Sequence, residues 1–230
     1  MTAKGNRELA AAFRASIPVM MGYSVLGFSF GLLAVSQGLA WYWPVLMSLL
    51  IYAGALQFLA VGMLQAKAGM FDLFIASVFV NIRQAFYGLS LLKKFKKSGP
   101  LKPYMIFALT DETYALMTTL EPDPRLKKRF YYFYLSLLNQ SYWVGGTLAG
   151  ALFGTLVHFD TRGIEFALTA LFVVLAMEQY KARRRLTPFL LGAGVSLIAL
   201  VSVPMDKMLI SSIVLALIGM FLFAKRIDDE

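Results

Sequence analysis

Two adjacent carboxylates, Asp111 and Glu112, stand in the middle of an otherwise apolar run between Pro103 and Leu120, and no other feature restricts the fold as tightly. A mid-helix Asp or Glu costs roughly 2.5–3.5 kcal/mol to insert into a bilayer, while each Leu, Ile or Phe returns only about 0.3–0.6 kcal/mol. The large apolar residues of this run cannot offset two such charges. At membrane depth the segment must be walled in by protein or line a wet cavity, where ionisable groups are functional candidates. The alternative is an interfacial helix that keeps both acids in water.

Composition places this run in a membrane. The 230 residues are 59% hydrophobic and 15% charged, with a mean hydropathy of +0.66, far more apolar than an ordinary soluble domain. The chain reads as all-α: a polytopic integral membrane helical bundle, multi-pass in the cytoplasmic membrane. With no Cys, thiolate metal sites and disulfides are excluded, and the single histidine, His158, argues against an imidazole-based zinc site or catalytic triad. No cofactor or metal is implied. The net charge of +9 does not signal nucleic acid, because 13 of the 22 Lys and Arg fall in three short clusters between apolar runs. These are Lys93, Lys94, Lys96, Lys97 and Lys102; Arg125, Lys127, Lys128 and Arg129; and Lys181, Arg183, Arg184 and Arg185, the pattern of cytoplasmic loops.

The first apolar run, Ile17 to about Val35, follows Lys4, Arg7 and Arg14 as in a signal sequence, but is too long for one and is read as retained. Pro18, Gly22, Gly27 and Gly31 interrupt it, permitting either close helix packing or an unwound backbone. Runs from Pro44 to Gln65 and from Phe71 to Leu92 are each long enough to cross a core of about 30 Å. In the second, Ser77, Asn81, Gln84 and Gly88 form a polar stripe at helical spacing, and Arg83 lies about 100° from Gln84. An arginine in a span wants a partner, and Asp111 or Glu112 supplies the opposite charge; a purely structural staple is the other reading. The run from Phe130 to Leu156 carries Asn139, Gln140 and Ser141, then Gly146, Gly150 and Gly154 at packing spacing. A further crossing spans 164–179, and a final helix pair occupies 187–224, giving six to seven spans in one transporter-like domain over 1–230.

Shifted by 88 residues, Ser48-Leu49-Leu50 falls on Ser136-Leu137-Leu138, Gly62 on Gly150, and Phe71-Asp72 on Phe159-Asp160. This suggests repeat halves 15–97 and 103–185. Three full crossings before Lys93 would put the basic N-terminus and the Lys93 cluster on opposite sides, and the acidic segment poses the same conflict. Both vanish if the Gly-rich first segment and the acidic segment are broken or re-entrant, which makes the repeat parallel; an inverted repeat stays open.

The stretches Gly27-Phe28-Ser29-Phe30-Gly31, Asn81-Ile82-Arg83-Gln84, Tyr87-Gly88-Leu89-Ser90-Leu91, Thr110-Asp111-Glu112, and Asn139-Gln140 with Trp143 and Gly146 together resemble the large subunit of AzlC-type branched-chain amino acid exporters. The resemblance covers residues 10 to 225. It implies export of leucine, isoleucine and valine, with methionine a further candidate, together with a small AzlD-type membrane subunit. Gln84 departs from the family pattern, which often has His there, so no protonatable ring contributes at that position in this chain.

The residue chemistry fits a zwitterion with an apolar side chain, which needs a cation partner, an anion partner and a greasy pocket. Backbone amides freed by a break near Gly22, Gly27 and Gly31 would hold the carboxylate, and Asp111, Glu112 or carbonyl oxygens the ammonium. Two acids sharing Arg83 cannot both stay charged, which makes one of them a proton carrier. The candidate site is therefore Asp111, Glu112, Arg83, Asn81, Gln84, Asn139, Gln140, Gly27 and Gly31. A channel would also need buried polar groups, but favours charge rings from several subunits. An enzyme is restricted to an acidic-pair hydrolase.

Overall fold

The computed structural model describes residues 5–96, 98–156 and 186–202, with isolated positions beyond. His158, the expected crossing over 164–179, the Arg184 cluster, the end of the second repeat half and most of the final pair lie outside the described residues. Among the described residues there are helices and no strand. They are α1 (Gly5–Ser36), α2 (Tyr42–Leu50), α3 (Gly54–Gln65), α4 (Met70–Leu91), α5 (Lys102–Phe107), α6 (Asp111–Thr119), α7 (Lys128–Leu156) and α8 (Thr187–Ser202), with a single 3₁₀ turn at Gly99–Leu101. Segments Arg7–Ser36 and Met70–Leu91 are long and apolar enough to cross a membrane.

The chain divides into two compact units, one of residues 1–62 and 79–161, the other of residues 63–78 and 162–230. The first holds every candidate residue. Its axis is the pair α1 and α7, which run side by side in the same direction. Near their starts Ala12 packs with Tyr131, Tyr132 and Leu135, and near their ends Gly154 meets Val35. Glycine makes the contact possible. A Cβ on Gly27 would lie 2.6 Å from the Trp143 carbonyl oxygen, and one on Gly146 2.6 Å from that of Ser24. Gly31 against Thr147 and Gly150 against Phe28 are closer still.

This overturns one expectation. The Gly-rich first segment is neither broken nor re-entrant: α1 is one helix of 32 residues that contains Pro18. Gly27 and Gly31 are used for packing, while Gly22 meets nothing within 4 Å, so no helix end is freed at Gly27 or Gly31 to receive a carboxylate.

The acidic segment is broken, as expected. Helix α5 starts with Pro103 in its first turn, where the missing N–H costs nothing, and ends at Phe107. After Ala108 and Leu109 the chain turns, Thr110 caps the next helix, and α6 runs back. Met105 of α5 and Met117 of α6 join the same buried cluster as Ala12, Leu91, Phe95 and Tyr132, so this hairpin enters and leaves at the end where α1 and α7 begin. Lys94 Nζ donates to the Met117 carbonyl at 2.8 Å, placing a cation on the open end of α6.

The run Pro44–Gln65, expected as one crossing, is also broken. Ser48 of α2 meets Thr147 and Gln57 of α3 returns to Ser48, while Phe58 lies against Phe30. Helix α2 therefore descends beside α7 and α3 climbs again, with the turn at Ile51–Ala53. Tyr52 there has φ 45°, a left-handed conformation that a bulky residue adopts only when its surroundings impose it. Two helical hairpins thus enter the unit from opposite ends. At the 88-residue offset the bent α2–α3 falls on the continuous α7.

Candidate functional site

The hairpin tips meet at mid-length of α1 and α7. Tyr23 of α1 stands between them. Its hydroxyl lies 2.6 Å from Thr110 Oγ1 and 2.6 Å from Glu112 Oε2. Thr110 is the N-cap of α6: the Thr113 N–H donates to its hydroxyl oxygen at 3.2 Å, and the two threonine hydroxyls are 3.0 Å apart, an arrangement Ser and Thr favour at helix starts. From the opposite tip Tyr52, 2% exposed, brings its hydroxyl beside Tyr23, Thr113 and Glu112 without closing a hydrogen bond of normal geometry.

Asn139 and Gln140, neighbours on α7, tie both hairpins down. Asn139 Nδ2 donates to Thr113 Oγ1 at 2.9 Å. Gln140 accepts from the Tyr104 hydroxyl of α5 at 2.7 Å and donates to the Leu49 carbonyl at the end of α2 at 3.1 Å. Buried amides of this kind must be paired, since an orphaned polar group inside protein costs about 1–3 kcal/mol. Asn139 is nonetheless half satisfied, its Oδ1 buried and unpartnered.

The two acids point apart, as neighbours on a helix must. Asp111 Oδ2 is 2.6 Å from Arg83 Nη1 of α4, with side-chain exposures of 30% and 41%; Glu112 instead lies against the hydroxyl cluster and is exposed on its other flank. Arg83 Nε and Asp111 Oδ1 are each buried without a partner. On α4 the face that meets α6 continues through Tyr87, whose ring stacks on Tyr114 at 4.3 Å, and Ser90, which donates to the Tyr114 hydroxyl at 3.2 Å.

Five of the nine expected residues therefore converge: Asp111, Glu112, Arg83, Asn139 and Gln140. Asn81 and Gln84 do not, because they project roughly 160° and 100° around α4 from Arg83, and among the described residues no hydrogen bond ties either to the cluster. Gly27 and Gly31 lie at the α1–α7 crossing. Sequence reading missed Tyr23, Tyr52, Thr113 and Tyr104. For Thr110 and Thr113 a signal was present, since a threonine followed by two acids is a helix start.

A second polar chain holds the α2–α3 hairpin. Trp143 Nε1 donates to Gln57 Oε1 at 2.9 Å, Gln57 Nε2 to Ser48 Oγ at 3.1 Å, Ser48 to Thr147 at 2.9 Å, and Thr147 to the Trp143 carbonyl at 2.9 Å. Each proton has one acceptor, so the circuit closes on α7. Around it Trp143 packs edge-on to Tyr23 at 5.4 Å, and a Cβ on Gly54 would come within 2.9 Å of its ring.

Comparison with known proteins agrees with this picture of a membrane protein. The chain is 40% identical over 217 residues to an uncharacterized membrane protein of Helicobacter pylori, covering 94% of this chain and 95% of that one. It is 32% identical over 223 residues to the branched-chain amino acid transport protein AzlC of Bacillus subtilis, covering 95% and 87%, and 29% identical over 211 residues to the inner membrane protein YgaZ of Escherichia coli, covering 86% and 85%. No solved structure matches the chain. The model of the AzlC protein family matches residues 18–157, from Pro18 of α1 through both hairpins and all of α7, and the chain belongs to that family.

Proposed function

We propose that this protein is a secondary transporter that exports branched-chain amino acids across the cytoplasmic membrane in exchange for protons. It is not an enzyme, and it works as the large subunit of a pair with a small AzlD-like membrane subunit. The observation that carries the reading is the Arg83–Asp111 pair at the hairpin tips, in a relative of a protein named for branched-chain amino acid transport. Each partner has one buried atom unused, a donor on Arg83 Nε and an acceptor on Asp111 Oδ1. An amino acid zwitterion supplies the complement of both: its carboxylate answers the guanidinium and its ammonium the carboxylate. This moves the carboxylate from the Gly-rich segment, where α1 leaves no free amides, to Arg83. Leucine, isoleucine, valine and methionine add an apolar side chain to that head group.

The single transporter domain carries six to seven crossings, with α2–α3 and α5–α6 as re-entrant hairpins, and the N-terminus and both described basic clusters face the cytoplasm. In the test, cells preloaded with leucine, valine or methionine express this chain with and without a small partner subunit. Faster efflux of these than of lysine or glutamate supports the reading. Efflux equal to empty vector in every arrangement sinks it, and single-channel conductance would turn it into a channel.

A further inference from the structure

The hydrogen bonds of the hydroxyl cluster at the hairpin tips can run in either of two directions. Tyr23 has one O–H and two oxygens at 2.6 Å, Glu112 Oε2 and Thr110 Oγ1, so it can donate to one and must accept from the other. With Glu112 ionised, Tyr23 donates to the carboxylate, Thr110 donates to Tyr23, Thr113 donates to Thr110, and Asn139 Nδ2 donates to Thr113. Every donor then points toward Glu112. With a proton on Glu112 the order reverses: Glu112 donates to Tyr23, Tyr23 to Thr110 and Thr110 to Thr113, whose own proton needs a new acceptor. Two oxygens stand ready beside it. Asn139 Oδ1 is fully buried and unpartnered, and a turn of that amide brings it to Thr113; the Tyr52 oxygen is likewise buried and unpartnered.

The geometry points to Glu112 as the proton-carrying carboxylate of transport, and to Tyr23, Thr110, Thr113 and Asn139 as a hydrogen-bonded chain whose direction reports its protonation to α1, α7 and the α2–α3 tip. This rests on the transporter reading above, proton exchange included, and adds to it the carrier and the hydrogen-bonded chain that responds to it. The balance is simple: one proton from water forms the Oε2–H bond, each hydroxyl rotates while keeping its own proton, and the proton leaves Glu112 on the other side. Asp111 is the weaker candidate, because its carboxylate is already engaged by the Arg83 guanidinium at 2.6 Å. The titratable groups that face Glu112 are Tyr23 of α1, Tyr52 of the α2–α3 turn and the neighbouring Asp111, with Tyr104 of α5 next beyond Tyr52. None is a cation. The outer flank of Glu112 is not covered by the rest of the chain, and it is from this flank that a proton would reach it.

The test uses the full chain in proteoliposomes. Glu112→Gln, which keeps the side-chain shape but can neither take up nor release a proton, should flatten the pH profile of leucine flux. Asp111→Asn should keep the slope of that profile while raising the leucine concentration needed for half-maximal flux. Thr110→Ser should keep the slope, and Tyr23→Phe should reduce it. A Glu112→Gln protein with the wild-type pH slope overturns the proposal. If wild type or Glu112→Gln carries no leucine, infrared difference spectra of the purified, monodisperse protein between acidic and alkaline buffer decide without substrate. A protonated-carboxyl band that is lost in Glu112→Gln, shifted in Tyr23→Phe and kept in Asp111→Asn supports the relay. A band unchanged in Glu112→Gln overturns it, whereas absent leucine flux beside a Glu112-dependent band defeats only the choice of substrate.

Discussion

At the scale of single residues, the division between Asp111 and Glu112 sets what each substitution does. Removing the guanidinium leaves Asp111 as a partly buried anion without its partner, which costs more than losing both charges together. Arg83→Met should destabilise by about 1–3 kcal/mol, less than for a fully buried pair because both side chains retain water. Adding Asp111→Asn should recover part of that loss, and adding Glu112→Gln should recover none. Thermal stability of the three singles and two doubles in detergent checks this. Both acids and Arg83 were legible from sequence, because charge in an apolar run stands out against its surroundings. Tyr23 and Tyr52 were not, since a tyrosine among phenylalanines carries no mark of where its hydroxyl points. The Asn81–Gln84 stripe misled for a related reason: helical spacing shows that polar groups share a face, and says nothing of what that face meets.

Among the elements, α1 and α7 are matched by their glycines. On α7 two adjacent glycines make opposite predictions. Gly146 faces the Ser24 backbone closely, while a methyl group added at Gly145 would meet nothing within 4 Å. Gly146→Ala should therefore force the helices apart and cost about 1–3 kcal/mol, whereas Gly145→Ala should be neutral or stabilising by up to about 1 kcal/mol through helix propensity. Chemical or thermal unfolding of the two variants measures the difference. The sequence showed the small-residue spacing on α7 and, separately, glycines on α1, and of the two breaks expected from it the one in the Gly-rich segment is absent. Glycine marks both a helix that opens and a helix that is approached. What separates the two is the partner, which lies more than a hundred residues away. The turn at Ile51–Ala53 has the reverse problem, for it contains neither Gly nor Pro and is imposed by the contacts of Tyr52, Gln57 and Ser48.

For the molecule as a whole, the charge clusters predict sidedness. Residues near Lys96 and Lys127 gather at the end of the first unit where α1 begins, with the Lys127 N–H donating to Glu8 Oε1 at 3.3 Å. Single cysteines at Lys96 and Lys127 should be protected from an impermeant thiol reagent in intact cells, and one at Gly38 should react. Labelling of one of the first two alone would mean that α5–α6 crosses. The native chain has no cysteine to interfere.

The α2–α3 hairpin also bears on the order in which the protein is made. Its polar side chains Gln57 and Ser48 find partners on α7 at Trp143 and Thr147, and its Leu49 carbonyl at Gln140, residues that leave the ribosome long after residue 65. Until α7 arrives, Ser48 and Gln57 lack those partners, and the run from Pro44 to Gln65 is long enough to lie straight across the bilayer, as its sequence alone suggests. Biogenesis then includes a late refolding step in which a provisional crossing bends back on itself. In a straight helix positions 48 and 57 are about 13 Å apart, whereas in the finished protein they touch. Cysteines at Ser48 and Gln57 should cross-link in the full chain, where Gln140 still holds α2, and should fail to do so in nascent chains arrested before Lys128. Cross-linking at both lengths would mean that the hairpin bends unaided.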